Sequence, residues 1–367
     1  MAIAKCVYDM TNSTFMVSIV VVLSMLPTII FMPIAGVIVE RFPKKMVLVY
    51  SDFVRGILTI LLGICFVFEF NFVLICIVSL SLGICEAFFR PAIMTLSPLI
   101  IKENLLVRAS SITMIISNSV TIFGNFVGGI MLLMFNIPAI IIINGITFII
   151  SAISELFVSV KEDNLSKDKL DFNFRQIKAD FVESKLFFYQ QKSYVILLVT
   201  YCAIVFLLSI YAILRLPFFE RNFGIETYGI AMGFLALGGI ASSVLLSILD
   251  IEKNKYRVLL FSIVGMSVPM LLMEIPYAEV VVGVTFLYGF FNGIFHTILG
   301  TLLVIEIPID LRARISSITT PLILLSSLFG QLIGGILGDV IKLETVIMAS
   351  FIAVLLVGMN LRRVIKA

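Results

Sequence analysis

The chain has 367 residues, 60% of them hydrophobic and only 13% charged, with a formal net charge of +3 and a mean hydropathy of +1.16. Water-soluble domains hold about 45–50% apolar and about 25% charged residues, so a water-soluble fold is excluded. A bilayer-crossing helix takes about 20 apolar residues and the apolar runs here are too long for barrel strands, which leaves the all-α integral membrane class.

The opening MAIAKCVYDMTNS has neither a basic flank before an apolar core nor a small-residue cleavage site, so it is not a cleavable signal and reads as the end of a helix. Eleven apolar spans follow, predicted at Phe15–Val39, Met46–Phe68, Phe72–Pro98, Ala109–Phe135, Ile137–Val160, Tyr194–Leu216, Tyr228–Leu249, Val258–Met273, Val280–Val304, Ile315–Gly338 and Val346–Asn360. The longest polar stretch runs from Lys161 to Lys192, and in it Phe174, Ile177, Phe181, Leu186 and Phe188 recur at about helical spacing. It is an amphipathic helix on the inner membrane surface or a solvated linker helix. The stretch divides the chain into an N-terminal half, 1–160, with five spans, a linker, 161–192, and a C-terminal half, 193–367, with six.

Lys and Arg are retained on the cytoplasmic side of a membrane. Alternate loops hold Arg41, Lys44 and Lys45; Lys102 and Arg108; seven residues from Lys161 to Lys192; Lys253, Lys255 and Arg257; Arg312 and Arg314; and Arg362, Arg363 and Lys366. Together these are 20 of the 26 Lys and Arg, so the C-terminus is expected in the cytoplasm and the N-terminus outside. The five cysteines, Cys6, Cys65, Cys76, Cys85 and Cys202, stand singly without the spacing of a disulfide or zinc frame, and His296 is the sole histidine. No metal, no cofactor and no nucleic-acid partner are expected.

At an offset of 206 the chain aligns with itself without a gap. RASSITMIISNSVTIFGNFVGGI from Arg108 meets RISSITTPLILLSSLFGQLIGGI from Arg314, and upstream Gly83 meets Gly289, Phe89 meets Phe295 and Thr95 meets Thr301. Six spans separate the matched segments, the spacing of a parallel repeat about an axis along the membrane normal. The span opening the second half would then have its partner before residue 1, so twelve spans are expected with the first missing here, through a late start or a truncation, and MAIAKCVYDM its remnant.

Between the first two spans stands GVIVERFPKKMVL, Gly36 to Leu48, followed by SDFVRG, Ser51 to Gly56. This resembles the signature loop G-x-x-x-D-R-x-G-R-K of the major facilitator superfamily. With PAIMTLSPLIIKENLL from Pro91 and LPFFERNFG from Leu216, the chain resembles the branch of macrolide-efflux and enterobactin-exporter proteins. The resemblance implies a two-halved transporter fold and a cytoplasmic gate motif of Gly36, Glu40 in place of the family's aspartate, Arg41, Lys44 and Lys45, with Asp52 and Arg55 in the network around it; retention for topology alone accounts for Lys44 and Lys45 equally well. GNFVGG, Gly124 to Gly129, is similar to the antiporter ending GPxxGG, with Asn125 at the family's proline, and GQLIGG repeats it from Gly330. Gly124, Gly128 and Gly129, with Gly330, Gly334 and Gly335, read as small residues for close helix packing.

An ionisable side chain within a span costs about 2.5–3.5 kcal/mol, so each needs a partner or a purpose. Asp52 and Arg55, three apart, can pair on one helix. Glu86 and Arg90, four apart and just before Pro91, are either a carboxylate that exchanges partners during transport or a permanent salt bridge. Arg215 and Glu220 flank Pro217 at an outer mouth, as an external gate or surface pair. His296 is a proton relay or a hydrogen-bonded structural residue; with Asn118, Asn125 and Gln331 it completes the coupling and substrate-cavity set headed by Glu86 and Arg90. Phe88, Phe89, Phe290, Phe291 and Phe295 form an apolar wall for bulky ligands or ordinary helix packing.

The expected function is a non-enzymatic secondary active transporter in a bacterial cell membrane. It would work as a monomer among membrane lipids, exporting a hydrophobic or amphipathic drug-like or siderophore-like molecule in antiport with protons, as drug-resistance exporters do. No G-x-x-x-x-G-K-[ST] loop is present, so ATP is not its direct energy source. Uptake or lipid movement by the same fold, or a truncated inactive membrane protein, are the alternatives.

Overall fold

The computed structural model describes residues 2–68, 71–100, 134–158, 188–248, 255–308 and 311–365, with single positions between 116 and 131. Among them the regular elements are helices. The opening residues form α1, Ala2–Thr11, which ends where Asn12 takes φ 50. Ser13 then caps α2, Thr14–Arg41, its hydroxyl accepting the Met16 N–H. Pro43, without an N–H, stands in the break before α3, Lys44–Phe68. Asn71 accepts the Leu74 N–H at 3.1 Å to start α4, Phe72–Ile100, and Asn136 accepts the Ala139 N–H at 3.0 Å to start α5, Ile137–Leu156.

The next helix, α6, Lys192–Phe223, continues through Pro217 and beyond its predicted end at Leu216. Gly224, at φ 85, adopts the backbone conformation that only glycine takes without strain, and opens α7, Ile225–Ile248. The eighth predicted span is divided: α8, Lys255–Ser267, gives way to a 3-10 turn, Pro269–Leu272, because Pro269 has no N–H to continue the ladder. Then come α9, Ala278–Ile305, α10, Arg312–Val340, and α11, Leu343–Ile365. Nine of these helices, α2 to α10 with the 3-10 turn continuing α8, are long and apolar enough to cross a membrane among the described residues, and the apolar part of α11, Leu343–Met359, is shorter. The predicted span Ala109–Phe135 and the amphipathic part of the linker fall outside the described residues apart from isolated positions and the linker's last few residues.

The helices gather into two units, α1 to α5 and α6 to α11. In the first, α2 lies along α4, α3 along α5, and α3 meets α4; in the second, α7 lies along α9, α8 along α11, and α8 meets α9. The internal repeat is therefore also a repeat of helix neighbours. Its register is visible at one equivalent glycine pair. A Cβ at Gly83 on α4 would run into the carbonyl oxygen of Ser24 on α2, and one at Gly289 on α9 into that of Leu235 on α7. Backbone is what a side chain would strike, so neither crossing can relax by a rotamer change. The α3–α5 crossing is as tight: a Cβ at Gly145 would stand 2.9 Å from the Ile60 nitrogen and 3.0 Å from the Gly56 oxygen. In the second unit Gly330 and Gly334 of α10 meet α6 in the same manner, at Phe206 and Ile210, and Gly335 is buried. At Gly124 an added Cβ would meet nothing within 4 Å among the described residues, so no close approach is made there; Gly129 lies outside the described residues and Gly128 is half-buried.

Overpacking a close contact costs about 1–3 kcal/mol. Gly289→Val should therefore lower the thermal-unfolding midpoint and folded yield of the purified protein, whereas Gly300→Val on the same helix, where nothing lies within 4 Å, should leave both near wild type.

Candidate functional site

The first unit concentrates intramembrane charge where α3, α4 and α5 meet. Asp52 and Arg55 lie one turn apart on α3 and are 3% and 5% exposed, so both charges have been taken out of solvent. Arg55 Nη1 donates to Asp52 Oδ1 at 3.3 Å. Its Nη2 reaches across to α4 and donates to Glu86 Oε2 at 2.6 Å. The other oxygen of Glu86 accepts from Arg90 Nε, also at 2.6 Å. The two predicted i,i+3 and i,i+4 pairs are thus a single chain, Asp52–Arg55–Glu86–Arg90, that runs from a buried end to an exposed one: the Arg90 side chain is 56% exposed. Arg55 can hold the middle because a guanidinium presents several donors in a rigid fork. Its plane also lies over the ring of Phe89, 4.6 Å from the centroid, with Phe148 of α5 at 5.8 Å, a favourable cation–π setting away from water.

Helix α5 completes the surroundings. The Ser151 hydroxyl hydrogen-bonds the Asp52 carboxylate. One turn further along, Glu155 lies close enough to feel the charges of Asp52 and Arg55, while its buried Oε2 accepts no hydrogen bond. Lys45, at the start of α3, donates to the Leu156 carbonyl at 2.7 Å, placing a cation at the negative end of α5. Lys45 thereby ties α3 to α5. Beside the charge chain, α3 and α4 border an open apolar groove of about 540 Å³ lined by Met46, Val47, Tyr50, Val54, Ile84 and Phe88, with Ser51 and Cys85 in its wall. Glu40 and Arg41 belong to α2 by backbone, as does Gly36; their side chains, together with Asn118 and Asn125, lie outside the described residues. Lys44 begins α3.

In the second unit His296 of α9 is exposed rather than a core histidine. Its Nδ1 stands 3.0 Å from the hydroxyl of Tyr201 on α6, and Phe295 packs against both rings at centroid distances of 5.3 and 5.9 Å. At the repeat offset His296 is the equivalent of Arg90, so each unit carries one exposed, hydrogen-bonded ionisable group at the same place. Tyr201 carries no motif and could have been found only through its partner. Gln331 donates to Ser327 Oγ at 3.3 Å, and Ser327 in turn bonds Ser209 at 2.8 Å, a short polar seam between α6 and α10. Arg215 lies inside α6, which continues through Pro217 to Phe223, and hydrogen-bonds Tyr228 of α7. Of the aromatic wall, Phe295 is fully buried, and Phe291 packs on Gly265 and meets Phe261 edge-on. These rings are helix packing.

Residues 2–330 match the family model described as Major Facilitator Superfamily. The chain is 26% identical over 178 residues to Macrolide efflux protein A of Streptococcus pyogenes, which is 47% of this chain and 43% of that protein. It is 24% identical over 346 residues to the uncharacterized MFS-type transporter YfiS of Bacillus subtilis, 91% of this chain and 81% of that one. The chain thus spans less than half the length of the first of these relatives. The crystal structure of the nucleoside transporter NupG superposes with a TM-score of 0.71 at 13% identity, covering 97% of this chain and 91% of that one.

Breaking a buried ion pair by removing one partner costs about 3–5 kcal/mol, much of it for the charge left alone. Arg55→Gln should consequently unfold at lower temperature than the double variant Asp52→Asn/Arg55→Gln, in which Glu86 still has Arg90 and no carboxylate is stranded; thermal denaturation of the purified proteins in detergent makes the comparison.

Proposed function

The chain belongs to the Major Facilitator Superfamily and is a multi-pass membrane transporter rather than an enzyme, and we propose that it exports hydrophobic or amphipathic small molecules in exchange for protons. One observation carries the reading: Glu86 is shared by two arginines of opposite exposure, Arg55 in the interior and Arg90 at the open end. A carboxylate held between two cations can release one without being stranded, so the ion pair can change partners at low cost. Alternating access needs such an exchange, since each change of state must break and remake polar contacts in a low-dielectric interior. Arg90 lies next to Pro91, which lacks the N–H of an ordinary helix position and eases bending there.

The apolar groove beside the network suits a bulky hydrophobic compound, with Ser51 and Cys85 as its few polar contacts. The name of the streptococcal relative, an efflux protein for macrolides, favours export and a compound of that size. The basic loops favour a cytoplasmic C-terminus, and the chain works as a monomer in a bacterial plasma membrane. Glu40 and Arg41 act at the cytoplasmic gate, where an acidic side chain is attracted to a helix N-terminus. Asn118 and Asn125 belong to the same coupling set, and the internal repeat matches them to Leu324 and Gln331. His296, with Tyr201, is the polar contact of the second unit.

Energised cells loaded with a panel of hydrophobic dyes should extrude at least one of them, and a protonophore should stop extrusion. Glu86→Gln and Arg90→Ala should each slow it by about tenfold, equivalent to ~1.4 kcal/mol. Extrusion that survives the protonophore would exclude proton exchange, and rates unchanged in both variants would exclude the partner switch.

A further inference from the structure

Three described carboxyl groups meet at the α3–α4–α5 junction, Asp52, Glu86 and Glu155, against two guanidinium groups, Arg55 and Arg90. Their hydrogen bonds are unequal. Both oxygens of Glu86 accept from arginine at 2.6 Å, and Asp52 accepts from Arg55 at 3.3 Å and from Ser151. Each of these has hydrogen-bond donors from the side chains around it. Glu155 has none of them: its Oε2 is buried without a hydrogen bond, and it faces the Asp52 carboxylate as well as Arg55. A third carboxylate here would stand beside that of Asp52 with one oxygen buried and no donor on it. A neutral carboxyl removes that repulsion and leaves Arg55 to Asp52 and Glu86.

We propose that Glu155 is the proton-binding site of the first unit, deepening the transport reading above. The reaction is the gain of one proton from water by a Glu155 carboxylate oxygen and its later return to water, with no other bond changed. Among the described residues, deprotonation places a third carboxylate near Arg55, which already serves Asp52 and Glu86. A proton leaving Glu155 therefore draws on the same guanidinium that anchors Glu86, which links occupancy of the proton site to the partner exchange of Glu86 and Arg90.

Among the described residues the charged groups packed around Glu155 can be named. From α3 they are Asp52, Arg55 and Lys45, the last donating to the adjacent Leu156 carbonyl. From α4, Glu86 and Arg90 connect through Arg55. Helix α1 also touches α5, and carries the Lys5–Asp9 pair at 2.9 Å. Lys45 marks the end of α5 as the end where α2 turns into α3, whereas α1 joins α2 at its opposite end, so that pair is remote from Glu155.

Infrared difference spectroscopy of the full-length protein in lipid nanodiscs tests this without transport. Stepping the pH should reveal a protonated-carboxyl C=O band. It should vanish in Glu155→Gln, shift in Glu155→Asp, and persist in Glu86→Gln. A band that persists in Glu155→Gln, or vanishes only in Glu86→Gln, would overturn the assignment. Should Glu155→Gln fail to fold, an unshifted band in Glu155→Asp would overturn it as well. Failure of dye export with the band assigned as expected would instead count against the export reading alone.

Discussion

A guanidinium that is 5% exposed inside a membrane protein can persist only if its surroundings repay its lost hydration. Arg55 is that group, and the first unit is arranged to satisfy it. Asp52 comes from its own helix, Glu86 from α4, Phe89 supplies a ring face below it and Phe148 another from α5. Three helices therefore share one electrostatic centre, and their mutual placement cannot drift without stranding a charge. The same centre reaches the surface of the unit through Arg90, so a change in what Arg90 meets is transmitted to Arg55 by one shared carboxylate.

That arrangement depends on helix axes coming unusually close. The lipid phase offers little hydrophobic drive for helix association, so contact has to come from packing of small residues. Gly56 and Gly145 let α3 and α5 touch backbone to side chain one turn from Asp52, and Gly83 brings α4 onto α2 one turn before Glu86 and Ala87. The second unit repeats the device at Gly289 and again between α10 and α6, where Gly330 and Gly334 bring a polar Ser209–Ser327–Gln331 seam together. Glycine spacing and charge placement are one design: the first sets the distances that the second requires.

The site was legible to the extent that its pairs are local. Asp52 with Arg55 and Glu86 with Arg90 are set by helical periodicity, and spacing alone finds them. The link between the pairs, Arg55 to Glu86, spans 31 residues and two helices, and no periodicity encodes it. Glu155 shows the same limit from the other side. It stands one residue from the end of α5, yet one of its carboxyl oxygens is buried without a donor. His296 likewise stands in an apolar run, but its exposure and its Tyr201 partner follow from where α6 crosses α9. The apolar run predicts a span ending at Leu216, whereas α6 continues through Pro217 to Phe223, with Phe218 and Phe219 both fully buried.

Class, span positions, the halves' equivalence and the superfamily were all present in the linear order of residues, because hydropathy, glycine and proline positions, and repeat identity are properties of sequence neighbours. Burial of apolar surface in a membrane demands little more than a long apolar run, so that part is robust to any detail of packing. Which charges share a partner, which carboxyl is left without one and which rings merely fill space depend on distances between segments remote in the chain. Electrostatic energy in a low-dielectric interior changes steeply over a few ångströms, and those ångströms are decided only where α3, α4 and α5 cross.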